Sequence, residues 1–292
     1  MKVFVCQPHG YCEGVIKAIN LALKTRENYP LRPIYIIGML VHNEHVNNIL
    51  LEHNITTLDY TFSELKDVMS ELPSESIVVF TAHGHPASLE SYARKLNLTI
   101  VDATCSYVSD NLHLIQEATN NGQKVIYIGK ENHPETLSAL SIGKNVFLYR
   151  KDDLDYYRTF CQDSIPPLVI NQTTLAYDSL LPIHYQIRNV IPQAIFAEEI
   201  CPATRLRQNA VKNIPQEVDA ILVVGSKRSA NTNHLVSIAK ESHPKAEVYL
   251  IDSINDLDLT KVRHFKFVAV SAGASTPLEV TEKVISALKA IE

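Results

Sequence analysis

No apolar run in this 292-residue chain is long enough to span a bilayer, and one of the longest, residues 34–40, is already interrupted by Gly38. The start of the chain has neither the extended apolar stretch nor the small-residue cleavage site of a secretory leader. It opens instead on a strand-like Val3-Phe4-Val5 after a single lysine. A cytoplasmic protein without a membrane partner is expected. Blocks of lysine or arginine are missing as well, and the net charge is −5. Nucleic-acid binding is therefore not expected as the main role, while a local basic pocket remains compatible with the charge. No low-complexity segment or Pro/Gly-rich linker divides the chain. Cysteine is sparse, at five residues: Cys6, Cys12, Cys105, Cys161 and Cys201. An odd number in a long, apparently cytosolic chain argues against a disulfide framework and turns attention to metal binding or catalysis.

Apolar residues make up 46 % of the chain and charged residues 20 %, as in an ordinary globular protein. Short β-branched runs alternate with helical patterns nearly throughout. Strands are expected at 3–5, 34–37, 55–58, 77–80, 98–101 and 125–128, then at 146–149, 168–170, 194–197, 221–224, 248–251 and 267–270. Amphipathic stretches lie between them, for example at 15–25, 108–120 and 278–291. Such alternation predicts an α/β fold of parallel sheets with helices on both faces.

What divides the chain is a repeat. Cys12 follows the first expected strand, Cys105 the fifth and Cys201 the ninth, at intervals of 93 and 96 residues. His42 and His83 lie 30 and 71 residues after Cys12, and His133 and Thr173 lie 28 and 68 after Cys105. Ser229, Asn231 and Ser275 lie 28, 30 and 74 after Cys201. Each of these polar residues falls just beyond the C-terminal end of an expected strand, the edge where ligand sites of open parallel sheets collect. Three similar α/β units, 1–97, 98–192 and 193–292, are expected to present one cysteine each to a shared centre. Polar residues at strand ends are also common for purely geometric reasons.

Cys12 sits in Gly10-Tyr11-Cys12-Glu13-Gly14, Cys105 in Asp102-Ala103-Thr104-Cys105 and Cys201 in Ile200-Cys201-Pro202-Ala203-Thr204. At strand-to-helix turns, backbone N–H groups and the helix dipole favour the thiolate, which is the form that binds metal. Cys6 and Cys161 read as small core residues. Without a close Cys-x-x-Cys pair, structural zinc is a weak match. Thiolates also hold iron–sulfur clusters, and a four-iron cluster on three of them leaves one iron open to a substrate. Zinc on the same three cysteines is the rival reading.

His42, His83 and His133, with Ser229, Asn231 and Ser275, read as a phosphate cradle at helix N-termini, although any one histidine taken alone is more simply a solvated or capping residue. The remaining histidines are read that way. Glu135, two residues after His133, is a natural proton donor beside a metal centre if burial raises its pKa. Its plainer reading is a first-turn glutamate that favours the helix dipole. Thr173 and Thr174 serve either as hydrogen-bond relays or as a helix N-cap.

These motifs, taken in order, resemble the 4-hydroxy-3-methylbut-2-enyl diphosphate reductase family along nearly the whole chain. The matching pieces begin with Gly10-Tyr11-Cys12-Glu13-Gly14-Val15, His42-Asn43, Ala82-His83-Gly84 and Asp102-Ala103-Thr104-Cys105. They continue with His133-Pro134-Glu135, Gln172-Thr173-Thr174-Leu175, Ile200-Cys201, Gly225-Ser226-Lys227 through Asn231, and Ala272-Gly273-Ala274-Ser275. The resemblance implies three α/β domains about a pseudo-threefold axis, with one 4Fe-4S cluster on Cys12, Cys105 and Cys201. It further implies diphosphate binding by His42, His83, His133, Thr174, Ser229, Asn231 and Ser275, and proton handling by Glu135 and Thr173. The implied reaction is a two-electron reductive dehydroxylation fed by a ferredoxin or flavodoxin.

Three positions depart from the usual family pattern: Ala230 in place of a serine, Asn132 in place of the glycine before His-Pro-Glu, and Glu13 in place of a small residue. Loss of one neutral hydroxyl contact at Ala230 weakens substrate binding by about 0.5–1.5 kcal/mol. A carboxylate at Glu13 lowers the potential of a nearby cluster. Two rivals of other classes follow: a non-catalytic iron–sulfur sensor, favoured by Ala230, and a zinc hydrolase of a phosphorylated substrate.

Overall fold

The computed structural model describes residues 1–197 and 200–291. Glu199, and the side chain of Cys161 with its expected place in the core, lie outside the described residues. The backbone forms three four-stranded sheets, all parallel. The first contains β1 (Lys2–Val5), β10 (Ala220–Val224), β11 (Glu247–Ile251) and β12 (Phe267–Ala272), in the order β1-β12-β10-β11. The second contains β2 (Ile34–Ile37), β3 (Ile55–Leu58), β4 (Ile77–Phe80) and β5 (Thr99–Asp102), ordered β3-β2-β4-β5. The third contains β6 (Val125–Ile128), β7 (Val146–Leu148), β8 (Leu168–Asn171) and β9 (Ile195–Phe196), ordered β7-β6-β8-β9.

Helices connect the strands as parallel pairing requires, because a crossover must carry the chain back before the next strand starts. They are α1 (Glu13–Asn28), α2 (Glu44–Glu52), α3 (Phe62–Ser70), α4 (Ala87–Lys95), α5 (Ser106–Asn120) and α6 (Pro134–Leu140). The rest are α7 (Leu154–Arg158), α8 (Tyr177–Val190), α9 (Pro202–Lys212), α10 (Ala230–Ser242), α11 (Leu259–Val262) and α12 (Leu278–Lys289). No helix among the described residues is long and apolar enough to cross a membrane.

The sheets group the strands one step away from the boundaries 1–97, 98–192 and 193–292. Each strand that leads into a cysteine turn closes the sheet of the preceding repeat: β5 pairs with β4, β9 with β8, and β1 with β12, where Val3 stands opposite Val268. Consecutive strands joined by one helix tend to be neighbours, so β4-α4-β5 and β8-α8-β9 stay together. Among the described residues no strand follows β12, and β1 takes that place.

By density of contact the chain forms two compact units. One comprises Met1–Ile16, His42–Val46 and Cys201–Glu292, and holds the first sheet. Its strand side chains alternate between two cores, as the pleat dictates. Leu222, Val224 and Val270 pack with Val284 and Leu288 of α12, while Ile221, Val223 and Ala269 pack with Val211 of α9 and Leu235 of α10. The other unit comprises Lys17–Val41 and Asn47–Ile200, and holds the second and third sheets. There Val78 and Phe80 pack on Met69 and Leu89, and Val125 and Ile170 pack on Ile115 and Ala139. On the opposite face of the third sheet, Ile126 and Val169 meet Leu180 and Ile187 of α8. Helices on both faces bury every residue of β4, β6, β8 and β10, which explains the unbroken apolar runs of β4, β6 and β10 and of 168–170 in β8.

Candidate active site

All three repeat cysteines stand where a strand hands over to a helix. Cys105 is the N-cap of α5 and Cys201 the N-cap of α9, with Pro202 preorganising the first helical turn. Cys12 immediately precedes α1, and its carbonyl accepts from Ile16 N at 3.1 Å. Neither α5 nor α9 carries an acidic residue in its first turn, so nothing there opposes the positive end of the dipole. The three thiols are half-buried, and none is in a disulfide. Neither the Cys105 nor the Cys201 side chain makes a capping hydrogen bond. A thiol at a helix N-terminus that makes no capping bond is a donor type that suits iron–sulfur ligation. Cys6 is different: it is 1 % exposed, and burial pushes its thiol up to about 12, as befits a core residue.

In the unit that holds the first sheet, the Cys12 amide donates to the carbonyl of Ala274 at 3.0 Å, which sets the cysteine turn beside Ser275. The Ser275 hydroxyl donates in turn to the carbonyl of His42 at 3.4 Å. Asn43 follows His42, and its Oδ1 accepts from His45 N and Val46 N, capping α2. Gly10 opens the cysteine turn at φ +69°, and a Cβ there would stand 2.8 Å from Leu278 and 3.2 Å from the carbonyl of Thr276. Only glycine takes that conformation at that approach without strain. Ser229 caps α10 and accepts from Thr232 N. Asn231 is 4 % exposed, and neither atom of its amide finds a partner among the described residues. A buried amide left in this way costs free energy unless a ligand satisfies it.

In the other unit, the Cys105 amide donates to the carbonyl of Ala82 at 3.1 Å, so the thiol turn lies alongside His83. The Asp102 carboxylate accepts from both Thr104 N and Thr104 Oγ1, locking the turn before the cysteine. The His83 and His133 rings meet edge to face with centroids 5.6 Å apart. His133 caps α6, and its Nδ1 accepts from Glu135 N at 3.2 Å. That bond occupies Nδ1 and puts the proton of a neutral ring on Nε2.

Glu135 lies in the first turn of α6 and is 2 % exposed. Its Oε1 accepts from Thr173 N at 2.8 Å, and its Oε2 pairs with Thr173 Oγ1 at 2.9 Å. Burial pushes its carboxyl up to about 7, against the opposing pull of the two Thr173 bonds and of Tyr127. The buried Tyr127 hydroxyl interacts electrostatically with Glu135 without reaching hydrogen-bond geometry. A carboxyl with this pKa, one hydrogen bond from a threonine hydroxyl, can give up a proton near neutral pH. Thr173 is thus bonded to Glu135 and does not cap α8, whose N-cap is Ala176. The Thr174 hydroxyl accepts from Gln172 Nε2 at 2.9 Å, while Gln172 Oε1 accepts from Lys130 N.

Asn132 adopts φ +64°. Asparagine is the side-chain-bearing residue that best tolerates the left-handed region, so it serves where a glycine is usual. Two histidines read as solvated are buried instead. His243 Nε2 donates to the carbonyl of Ile214, and His184 packs on Phe196. Sequence reasoning also passed over the Tyr127 hydroxyl, in a strand that reads simply as core, and Arg207, whose burial no local pattern signals.

A family model described as LytB protein matches residues 3–289. The chain belongs to the LytB protein family. Relatives of this LytB chain include proteins named 4-hydroxy-3-methylbut-2-enyl diphosphate reductase. That of Symbiobacterium thermophilum is 37 % identical over 99 % of this chain and 97 % of its own. That of Anoxybacillus flavithermus is 36 % identical over 99 % of this chain and 90 % of its own. Among solved structures, the E-1-hydroxy-2-methyl-but-2-enyl-4-diphosphate reductase of Plasmodium falciparum superposes with a TM-score of 0.86 at 25 % identity, covering 99 % of this chain and 88 % of that one. A second, titled as the terminal enzyme of the non-mevalonate pathway, gives a TM-score of 0.69 at 28 % identity and covers 99 % of both chains.

Proposed function

We propose that this LytB chain is an oxidoreductase that converts 4-hydroxy-3-methylbut-2-enyl diphosphate to isopentenyl and dimethylallyl diphosphates. Its cofactor is one four-iron four-sulfur cluster held by Cys12, Cys105 and Cys201. Besides the family match, the observation that carries the reading is Glu135, a buried carboxyl bonded to Thr173 and poised at a pKa of about 7. When bound, the cluster supplies one-electron redox chemistry and an iron with no protein ligand. Everything else falls to side chains.

His42, His83, His133, Thr174, Ser229, Asn231 and Ser275 bind the diphosphate. Neutral donors such as those at the N-terminus of α10 and the Nε2 proton of His133 complement an anion without a cluster of lysines. Glu135, relayed through Thr173, protonates the departing allylic hydroxyl. One C–O bond breaks, oxygen leaves as water, and two electrons with a second proton complete a new C–H bond at either end of the allylic fragment. A cytoplasmic ferredoxin or flavodoxin delivers the electrons. The assay that tests this uses anaerobically isolated protein, a reduced viologen and the hydroxylated diphosphate. Formation of both isoprenoid diphosphates is expected, and a cluster-bearing protein that forms neither is a sensor.

The orphaned amide of Asn231 gives a second expectation. Asn231→Leu removes two buried, unpartnered polar atoms, so the substrate-free protein melts at the same temperature or higher. Its substrate dissociation constant rises about tenfold, in keeping with ~1–2 kcal/mol for the lost bonds. Calorimetry of the same preparation, with and without substrate, checks both signs.

A further inference from the structure

We propose that Arg207 is a positioning residue for the cluster, clamping the Cys12 turn to the Cys201 helix and supplying the positive charge that offsets their thiolates. This rests on the cluster reading above. Arg207 lies on α9, six residues beyond Cys201, and is only 4 % exposed.

Among the described residues, its hydrogen bonds go to backbone carbonyls. Nε and Nη2 donate together to the carbonyl of Gly10 at 3.1 and 2.7 Å. Nη2 also donates to the carbonyl of Tyr11 at 3.0 Å, and Nη1 donates to that of Ala203 at 2.9 Å. The fork thus holds the two residues before Cys12 against the first turn after Cys201. The planar guanidinium fork spans three carbonyls on two segments with several donors at once, a reach that the single ammonium of a lysine does not reproduce.

The second observation concerns charge. Among the described residues, no carboxylate pairs with this buried cation. Carbonyl dipoles solvate a guanidinium but do not neutralise it, and a buried charge without a counter-charge is strongly disfavoured. Burial disfavours its charged form, and among the described residues the sulfurs of Cys12 and Cys201, when they carry negative charge, favour it. A cluster on those sulfurs would be net negative and would supply a counter-charge to Arg207. The reciprocal effect follows: a fixed positive charge beside two ligating sulfurs makes the cluster easier to reduce.

The test compares native protein with Arg207→Gln and Arg207→Lys, all isolated anaerobically. Arg207→Gln is expected to lower the cluster's reduction potential so that the reduced-to-oxidised ratio at a fixed poise falls about tenfold, which is 59 mV for one electron. Arg207→Lys keeps the charge and holds the native potential. Both variants lose the fork and release iron to a chelator about tenfold faster than native protein. If Arg207→Gln melts like the native metal-free chain yet takes up no cluster while Arg207→Lys does, the proposal also stands. A native potential with a native release rate in Arg207→Gln overturns it, as does a potential in Arg207→Lys that falls as far as in Arg207→Gln. Native protein that contains no iron or labile sulfide overturns the cluster reading and this role together.

Discussion

Glu135→Gln is expected to lower turnover at least about 100-fold while leaving iron content and substrate affinity near native, since general-acid catalysis contributes roughly that much or more. The substitution keeps the size of the side chain and its acceptor to Thr173 N, and removes the transferable proton. The pH dependence follows from the same environment. The Glu135 carboxyl is held at about 7 against an ordinary 4.5, so the acid form is the majority species below neutrality. In native protein, turnover limited by this proton falls as pH rises through about 7, and the limb disappears in the variant.

Stability carries the same signature. Between about 4.5 and about 7 the folded chain keeps a proton that the unfolded chain has lost, so this group makes the fold less stable as pH rises through that window. The full effect is on the order of 3 kcal/mol. Glu135→Gln removes that penalty, and its melting temperature at pH 8 should exceed that of native protein. At pH 4 the two should agree. A variant with near-native turnover would take Glu135 out of the chemistry.

Replacing Cys12, Cys105 or Cys201 with serine is expected to abolish reductase activity and to strip most of the iron from each variant. An alkoxide is a poor substitute for a thiolate on iron. Cys6 is sealed in the core with its thiol pushed up to about 12, in the form least able to bind metal. Cys6→Ser is the control and should retain native iron. Iron and sulfide assays on the four variants separate a shared cluster from independent thiols. Equal iron in all four would end the cluster assignment.

Much of this architecture could be read in the sequence because the strands are short, buried and flanked by helices. The runs at 77–80, 125–128 and 221–224 match observed strands closely, since parallel strands covered on both faces are apolar without alternation. Edge elements were less legible. The run at 194–197 yields only the two paired residues Ile195 and Phe196, and β5 slides to Thr99–Asp102 so that Asp102 can reach Thr104. Which sheet each cysteine-bearing strand joins was not legible either, because pairing is decided by crossovers and not by local pattern.

At the site, Glu135 and Thr173 were visible as candidates because they sit at strand ends, but their bond depends on β6 and β8 being neighbours in the third sheet. Arg207 was invisible. It lies in a polar-looking helix, Pro202–Lys212, where an arginine reads as solvated, and its burial depends on the Gly10 turn nearly two hundred residues earlier. Tyr127 reads as core for a similar reason: its hydroxyl acquires meaning only beside Glu135.

Mössbauer spectroscopy of the anaerobic, iron-57-loaded native chain tests the central claim most directly. The account predicts one iron of four with parameters unlike the other three, changing when the hydroxylated diphosphate is added while those three do not. Four equivalent irons indifferent to that addition, or no iron in an active preparation, would contradict it.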